Sequence, residues 1–205
     1  MILAALILQA AAPQSAVDAE RAFNAAAQAK GQWTAFREFA AKDAVMFVPQ
    51  PVNTHTWLRE RDDPPKSVTW WPTESYVSCD GKLAVNTGGW KLPDGSVGYF
   101  STVWQRQADG SWKWIVDGGD GLKVARDRPA EPKVVRSACT KQPSAIYFEP
   151  CQPDLIKCIA DKSLDGSLVW DWTVKPDGAR TFTVRLWNGG GFDYVIKDVI
   201  PAPAQ

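Results

Sequence analysis

Histidine is almost absent from this chain: His55 is the only one among 205 residues. A single imidazole, with no Cys-x-x-Cys pair among four cysteines, leaves no set of nitrogen and sulfur donors for zinc. Any Ser or Cys nucleophile would need His55 as its base, and nothing marks a partner for it. His55 stands where a third helix begins, which suits a capping or solvent-facing role. Charge of one sign is missing too. Lys plus Arg and Asp plus Glu number 23 each, and no basic run exceeds two residues, so the footprint needed to hold a phosphate backbone is lacking and no nucleic-acid partner is expected. The glycine run "NGGG" at 188–191 is followed by neither Lys-Ser nor Lys-Thr nor a helix; it reads as a hairpin loop and not a phosphate cradle. Neither a cofactor nor a metal is expected.

Long apolar runs are confined to the start. "MILAALILQAAAPQSA" carries Ile2 to Leu8 and then small residues, with Ala10 and Ala12 spaced as a signal-peptidase site requires. It is too short to span a bilayer. Residues 1–14 are therefore read as a signal peptide, the mature protein as periplasmic or secreted, with no membrane span after removal. In such a compartment Cys79, Cys139, Cys151 and Cys158 can form two disulfides in any of three pairings, or remain buried thiols.

What the chain does have is apolar mass, 45% of its residues, with eleven tryptophans. That is ample for a core, and Trp serves both cores and flat ligands. Ser15 and Asp18 form a capping-box pattern, and Val17, Phe23, Ala26 and Lys30 follow helical spacing up to Gly31. Trp33, Phe36 and Phe39 stripe a second helix, Lys42-Asp43 turns into the strand "AVMFV", and Pro49 and Pro51 end it. Asn53 or Thr54 caps a third helix through Trp57 and Arg61, broken by Asp62-Asp63-Pro64-Pro65.

From Ser67 the period becomes two. Strands at about 67–79, 82–92, 97–107 and 112–118 are separated by Asp80-Gly81, Pro93-Asp94-Gly95-Ser96 and Ala108-Asp109-Gly110-Ser111. Helices followed by an antiparallel meander predict an α+β fold, with the helices across one face of a curved sheet. Residues 122–136 read as a charged, proline-containing linker. Residues 137–205 read as a small Cys-containing β unit, in which Leu168, Trp170, Trp172, Val174, Phe182, Val184, Leu186, Phe192, Tyr194 and Ile196 share one apolar face. That face needs a partner: the first domain, its own loop or another chain.

Taking the turns as two, four and four residues long fixes a register. One face then carries Tyr76, Val85, Trp104 and Ile115 in a row, Phe100 with Gly89 and Gly119 in another, and Glu74, Thr87, Thr102 and Asp117 between them. The other face carries Trp71, Trp90 and Tyr99. Polar residues flanked by aromatics cost free energy unless paired; a pocket accounts for them, as does a solvated strand end for Glu74 or Asp117, or a structural hydrogen-bond ladder along the row. Gly88, Gly89, Gly118 and Gly119 suit a bent, concave sheet. Glu74 and Asp117, three strands apart, would stand roughly 14 Å apart, too far for a glycosidase pair. Asp117 alone remains a candidate base.

The element order, with "AERAF", "FAAKDAVMFVP" and "GYFSTVWQRQADGSWKWIVDGG", resembles the nuclear transport factor two-like fold, in particular its ketosteroid-isomerase-like and polyketide-cyclase-like branch, over residues 15–121. The resemblance implies a conical cavity between helices and sheet, and a homodimer through the sheet's outer face. It also implies a general-base Asp before the proline ending the first strand, an oxyanion Tyr on the first helix and a protonated Asp on the third meander strand. Here those positions hold Val48, no tyrosine before Tyr76, and Thr102, so ketosteroid isomerisation is not expected. The expected function is binding of a small apolar or aromatic ligand by Phe36, Phe39, Phe47, Glu74, Tyr76, Thr87, Phe100, Thr102, Trp104, Ile115 and Asp117. Alternatives are a weak isomerase, cyclase or dehydratase using Asp117, and an envelope protein-interaction module built on Trp71, Trp90 and Tyr99.

Overall fold

The structure, a computed structural model, describes residues 14–141, 143, 146 and 157–203. The signal-peptide reading of 1–14 lies almost entirely outside them, as does Cys151. Three helices come first among the strands: α1 (Ala16–Lys30), α2 (Gln32–Phe39), β1 (Ala40–Phe47), β2 (Pro51–Asn53) and α3 (Thr54–Leu58). Ser15 and Asp18 close the expected capping box on α1, and the Asn53 side chain caps α3 by accepting from Thr56 N–H. Four long strands follow, β3 (Thr69–Val77), β4 (Leu83–Lys91), β5 (Val97–Arg106) and β6 (Trp112–Leu122), then β7 (Lys133–Arg136).

These strands form one curved sheet in the order β2-β1-β6-β5-β4-β3-β7. It is mixed, because β1 runs parallel to β6 and β7 parallel to β3. The stretch read as a linker thus supplies the sheet's edge strand. A second sheet contains β8 (Lys157–Lys162), β9 (Leu168–Val174), β10 (Arg180–Trp187) and β11 (Phe192–Ile200), in the order β11-β10-β9-β8. The fold is α+β, as the element order predicts, with a small all-β unit at the C-terminal end.

Two cores sandwich the large sheet. On the concave side Phe23 of α1 is the hub, with ring centroids 4.8 Å from Phe36, 5.2 Å from Phe39, 4.7 Å from Trp70 and 6.0 Å from Trp104. On the outer side Tyr76, Leu83, Val85, Val103 and Val116 pack against Leu168, Trp170, Trp172, Val174, Phe182, Val184, Leu186 and Ile196 of the second sheet. This explains the large apolar residues on both strand faces: each face has a hydrophobic cover. The outer face, where the resemblance implied a second subunit, is occupied by the chain's own C-terminal sheet. Tyr194 is an exception to the predicted apolar face, being 65% exposed. A bulge opposite Val184 and Arg185 pairs Tyr194 with Arg185 and turns it to solvent.

The two sheets are also joined by polar and covalent links. Cys79 N–H donates to Ser167 Oγ (2.8 Å) and Arg180 donates to the Gly119 carbonyl (3.0 Å). Cys79 and Cys139 form a disulfide, and Cys158 is disulfide-bonded as well. No helix among the described residues is long and apolar enough to cross a membrane.

Candidate functional site

Whether the predicted polar row exists depends on three details of strand pairing. The first hairpin pairs Tyr76 with Val85 and Glu74 with Thr87, as expected from Asp80-Gly81. The third pairs Thr102 with Asp117, the expected partners, although its loop is three residues (108–110) and not four, because a bulge at Ile115 makes up the difference. Between them the β4–β5 loop is one residue shorter than read. Leu92 N–H donates to the Ser96 carbonyl, and Gly95 (φ 95°) closes a three-residue loop over 93–95. Thr102 therefore sits opposite Asn86 and not Thr87, and β3 and β4 present the other set of side chains to each face.

Four expected cavity residues are displaced by these features. Glu74, Tyr76 and Thr87 lie on the outer face; Tyr76 donates to Glu74 (2.5 Å), and Arg126 donates to Thr87 (2.8 Å). The three-residue 108–110 loop pairs Trp104 with Trp114 in place of Ile115, which is the extra residue of the following bulge and packs against the outer core. The short 93–95 loop turns Trp90 away from Trp71 and Tyr99, so the predicted outer patch of those three does not form, and a bulge at Thr73 brings Trp70 opposite Trp90. Instead Trp70 and Trp90 line a cavity on the concave side.

That cavity has a volume of about 370 Å³ and lies between α1, α2 and the ends of β3 to β6. Phe36, Phe47, Trp70, Trp90, Phe100 and Val68 supply apolar wall, while Glu20, Asp117 and Asp120 supply carboxyl groups. Of the predicted residues, Phe36, Phe47, Phe100 and Asp117 border it. Thr102 is fully buried behind Asp117, to which its hydroxyl donates at 2.6 Å. Trp104 is fully buried, and Phe39 packs below the wall on Phe23 and Trp104. Gly88 permits this wall, since a Cβ there would collide with the Trp71 carbonyl and the Phe100 ring. His55 is elsewhere, its Nε2 3.1 Å from the Ala41 carbonyl oxygen.

Glu20 is the residue that the sequence reading passed over. It stands on the apolar stripe of α1, between Ala16 and Phe23, and is 0% exposed. A carboxylate there needs donors, because burying an unpaired charge is costly. Trp70 Nε1 donates to Oε1 (2.8 Å), and Trp104 Nε1 (2.7 Å) and Asn86 Nδ2 (3.2 Å) donate to Oε2. The available signal was an acidic residue placed four after Ala16 and three before Phe23 on a helix whose other inward positions are apolar.

Both acids are held away from ordinary carboxylate behaviour. Burial raises Glu20 from 4.5 to about 7, against the lowering effect of the Trp104 hydrogen bond and with a further rise from the charge of Asp117. Burial raises Asp117 from 3.8 to about 6, opposed only by the Thr102 hydroxyl. The Asp117 Oδ2 atom takes no hydrogen bond from any described residue. The arrangement can orient a ligand's donor, or exchange a proton close to neutral pH. Among the described residues no group of His, Cys, Asp and Glu is arranged to hold a metal ion.

No known family profile matches the chain, and no curated protein matches it. Solved structures of similar shape exist. The "putative ketosteroid isomerase" of Parabacteroides distasonis is 17% identical over 56% of this chain and 94% of its own, with a TM-score of 0.44. The CaMKII hub of S. rosetta is 18% identical over 54% of this chain and 99% of its own (TM-score 0.38), and a protein from Sphaerobacter thermophilus is 11% identical over 54% and 99% (TM-score 0.34). These neighbours cover about half of the chain, and the first is of the kind that the sequence resemblance names.

Proposed function

We propose that this protein is exported and binds a small, largely apolar or aromatic molecule in the cavity between α1, α2 and the concave sheet. The observation that carries the reading is Asp117. Its carboxyl group borders an aromatic-walled cavity, is held by one hydroxyl and has no cationic partner among the described residues, which is a poor arrangement for stability and a suitable one for orienting a ligand. The Cys79–Cys139 disulfide supports an oxidising, extracytoplasmic location. Residues 15–121 make the pocket in this reading, and the C-terminal sheet stiffens it from behind.

The test is a thermal-shift screen of neutral aromatic and alicyclic compounds on the wild type and on Asp117→Asn. Ligands that raise the melting temperature of the wild type and lose that effect in the variant are expected. A library without a hit, or shifts indifferent to Asp117, counts against the reading. Export is tested separately by fractionating cells and sequencing the mature N-terminus, which is expected near Ala12.

The second reading is a weak isomerase, cyclase or dehydratase with Asp117 as general base. It is favoured by one observation, that Asp117 is raised to about 6 and Glu20 to about 7, where a base and an acid can both act near neutrality. Turnover would then show an apparent pKa near 6 and disappear in Asp117→Asn; a rate that survives the substitution removes it.

A further inference from the structure

The cavity's polar groups are unusually one-sided. Among the described residues, Glu20, Asp117 and Asp120 are its only charged lining groups, and no Lys, Arg or His borders it. Arg180 approaches Asp120 closely enough to feel its charge, but it comes from the second sheet and spends a guanidinium N–H on the Gly119 carbonyl. Among the described residues Glu20 and Asp117 therefore have no cationic side chain facing them, Glu20 being answered by two indoles and an amide.

Donors are correspondingly scarce. Trp70 Nε1 is committed to Glu20 and Trp90 Nε1 to the Tyr99 carbonyl (2.9 Å). Gln32 uses its carbonyl oxygen to accept from Val68 N–H (3.0 Å). Apart from the Gln32 amide N–H groups, what faces an incoming molecule is acceptor oxygen, above all Asp117 Oδ2, surrounded by Phe36, Trp70, Trp90 and Phe100. Carboxylates beside several aromatic rings are the two features that together select an ammonium group: the carboxylate supplies charge and accepts N–H, and ring faces attract cations while covering the hydrocarbon body. An anionic ligand would meet repulsion from the same groups, in a setting of low dielectric where repulsion is strong.

We infer that the ligand of this cavity is an organic cation, a protonated amine or quaternary ammonium on an aromatic or alicyclic body, with its nitrogen directed to Asp117. This rests on the binding reading above and deepens it by naming the ligand class.

Three indoles of one shape and different charge separate the two ideas: tryptamine, tryptophol and indole-3-acetate, titrated calorimetrically into the full chain at pH 7.5 and low salt. Tryptamine is expected to bind at least ten-fold more tightly than tryptophol, and indole-3-acetate not at all. In Asp117→Asn, checked for native near-UV circular dichroism, tryptamine should fall to the level of tryptophol while tryptophol changes less than three-fold. Tryptophol equal to or tighter than tryptamine overturns the cation assignment and leaves the binding reading standing. Failure of all three overturns both. Tight tryptamine binding that ignores Asp117 in a folded variant places the cation elsewhere and overturns the assignment. The wild-type comparison decides the matter even if the variant does not fold.

Discussion

Trp104 Nε1 donates a 2.7 Å hydrogen bond to Glu20 Oε2, joining the middle of the large sheet to the inward face of the first helix with both residues fully buried. The bond explains how an acid can occupy a helix stripe otherwise made of alanine and phenylalanine. It also couples the cavity floor to the packing of α1, so protonation of Glu20 is linked to stability.

The sign of that linkage follows from the direction of the shifts. Glu20 and Asp117 both have folded-state pKa values above their unfolded ones, so their contribution is fully present below about pH 4 and is lost as pH rises through about 6 and 7. The Glu20 change from 4.5 to about 7 corresponds to about 3 kcal/mol. Glu20→Gln is expected to flatten the decline of unfolding free energy between pH 5 and 7.5, measured by urea titrations at fixed pH. A wild-type curve that rises steadily over that range contradicts the account.

Among the described residues, Thr102 supplies the one hydrogen bond that lowers the Asp117 pKa. Thr102→Val keeps the shape and removes the donor, so the Asp117 carboxyl should titrate higher than in the wild type, read from its side-chain carbon resonance in both proteins. An unchanged or lower midpoint would show that the hydroxyl does not hold this carboxylate.

The cover on the outer face should be energetically large. Trp172 is 1% exposed, within the core shared by the two sheets, with its ring 5.1 Å from Phe47. Trp172→Ala is expected to cost about 3–5 kcal/mol, the usual range for emptying a buried aromatic site. Because Phe47 also borders the cavity, ligand-induced stabilisation should weaken with it. A loss below 1 kcal/mol in chemical denaturation would mean that the sheets are not packed as one core.

The disulfide between Cys79 and Cys139 closes a loop with a sequence separation of 60, tying the end of β3 to the chain just beyond β7. Chain-entropy arguments assign about 4 kcal/mol to a loop of that length. Replacing both cysteines by serine should lower stability by a comparable amount and free the second sheet to exchange amide hydrogens faster. Equal stability would make the bond incidental.

Several elements were legible without coordinates because their causes are local. The capping box at Ser15 and Asp18, the stop at Gly31 and the Asp-Gly turn after Cys79 act over three or four residues, and each produced its element. The Thr102–Asp117 pair was reached by compensation: the 108–110 loop is one residue shorter than the four-residue turn read there, and a bulge at Ile115 restores the register beyond it. Glu74, Tyr76 and Thr87 were misplaced because a single residue in the 93–95 loop reverses every side chain across two strands. Ile115 was misplaced because the 108–110 loop is also one residue shorter than read, and the bulge that compensates has no mark of its own.

From its sequence alone this protein was committed to helices laid on a curved sheet, to an aromatic concave wall and to an acid at position 117, because periodicity, capping and turn chemistry are short-range properties. Tertiary structure alone decided that Glu20 joins that acid, that Trp70 and Trp90 turn inward, and that the C-terminal sheet covers the outer face. Those outcomes depend on which distant surfaces exclude water from one another, and no short stretch of the chain carries that information.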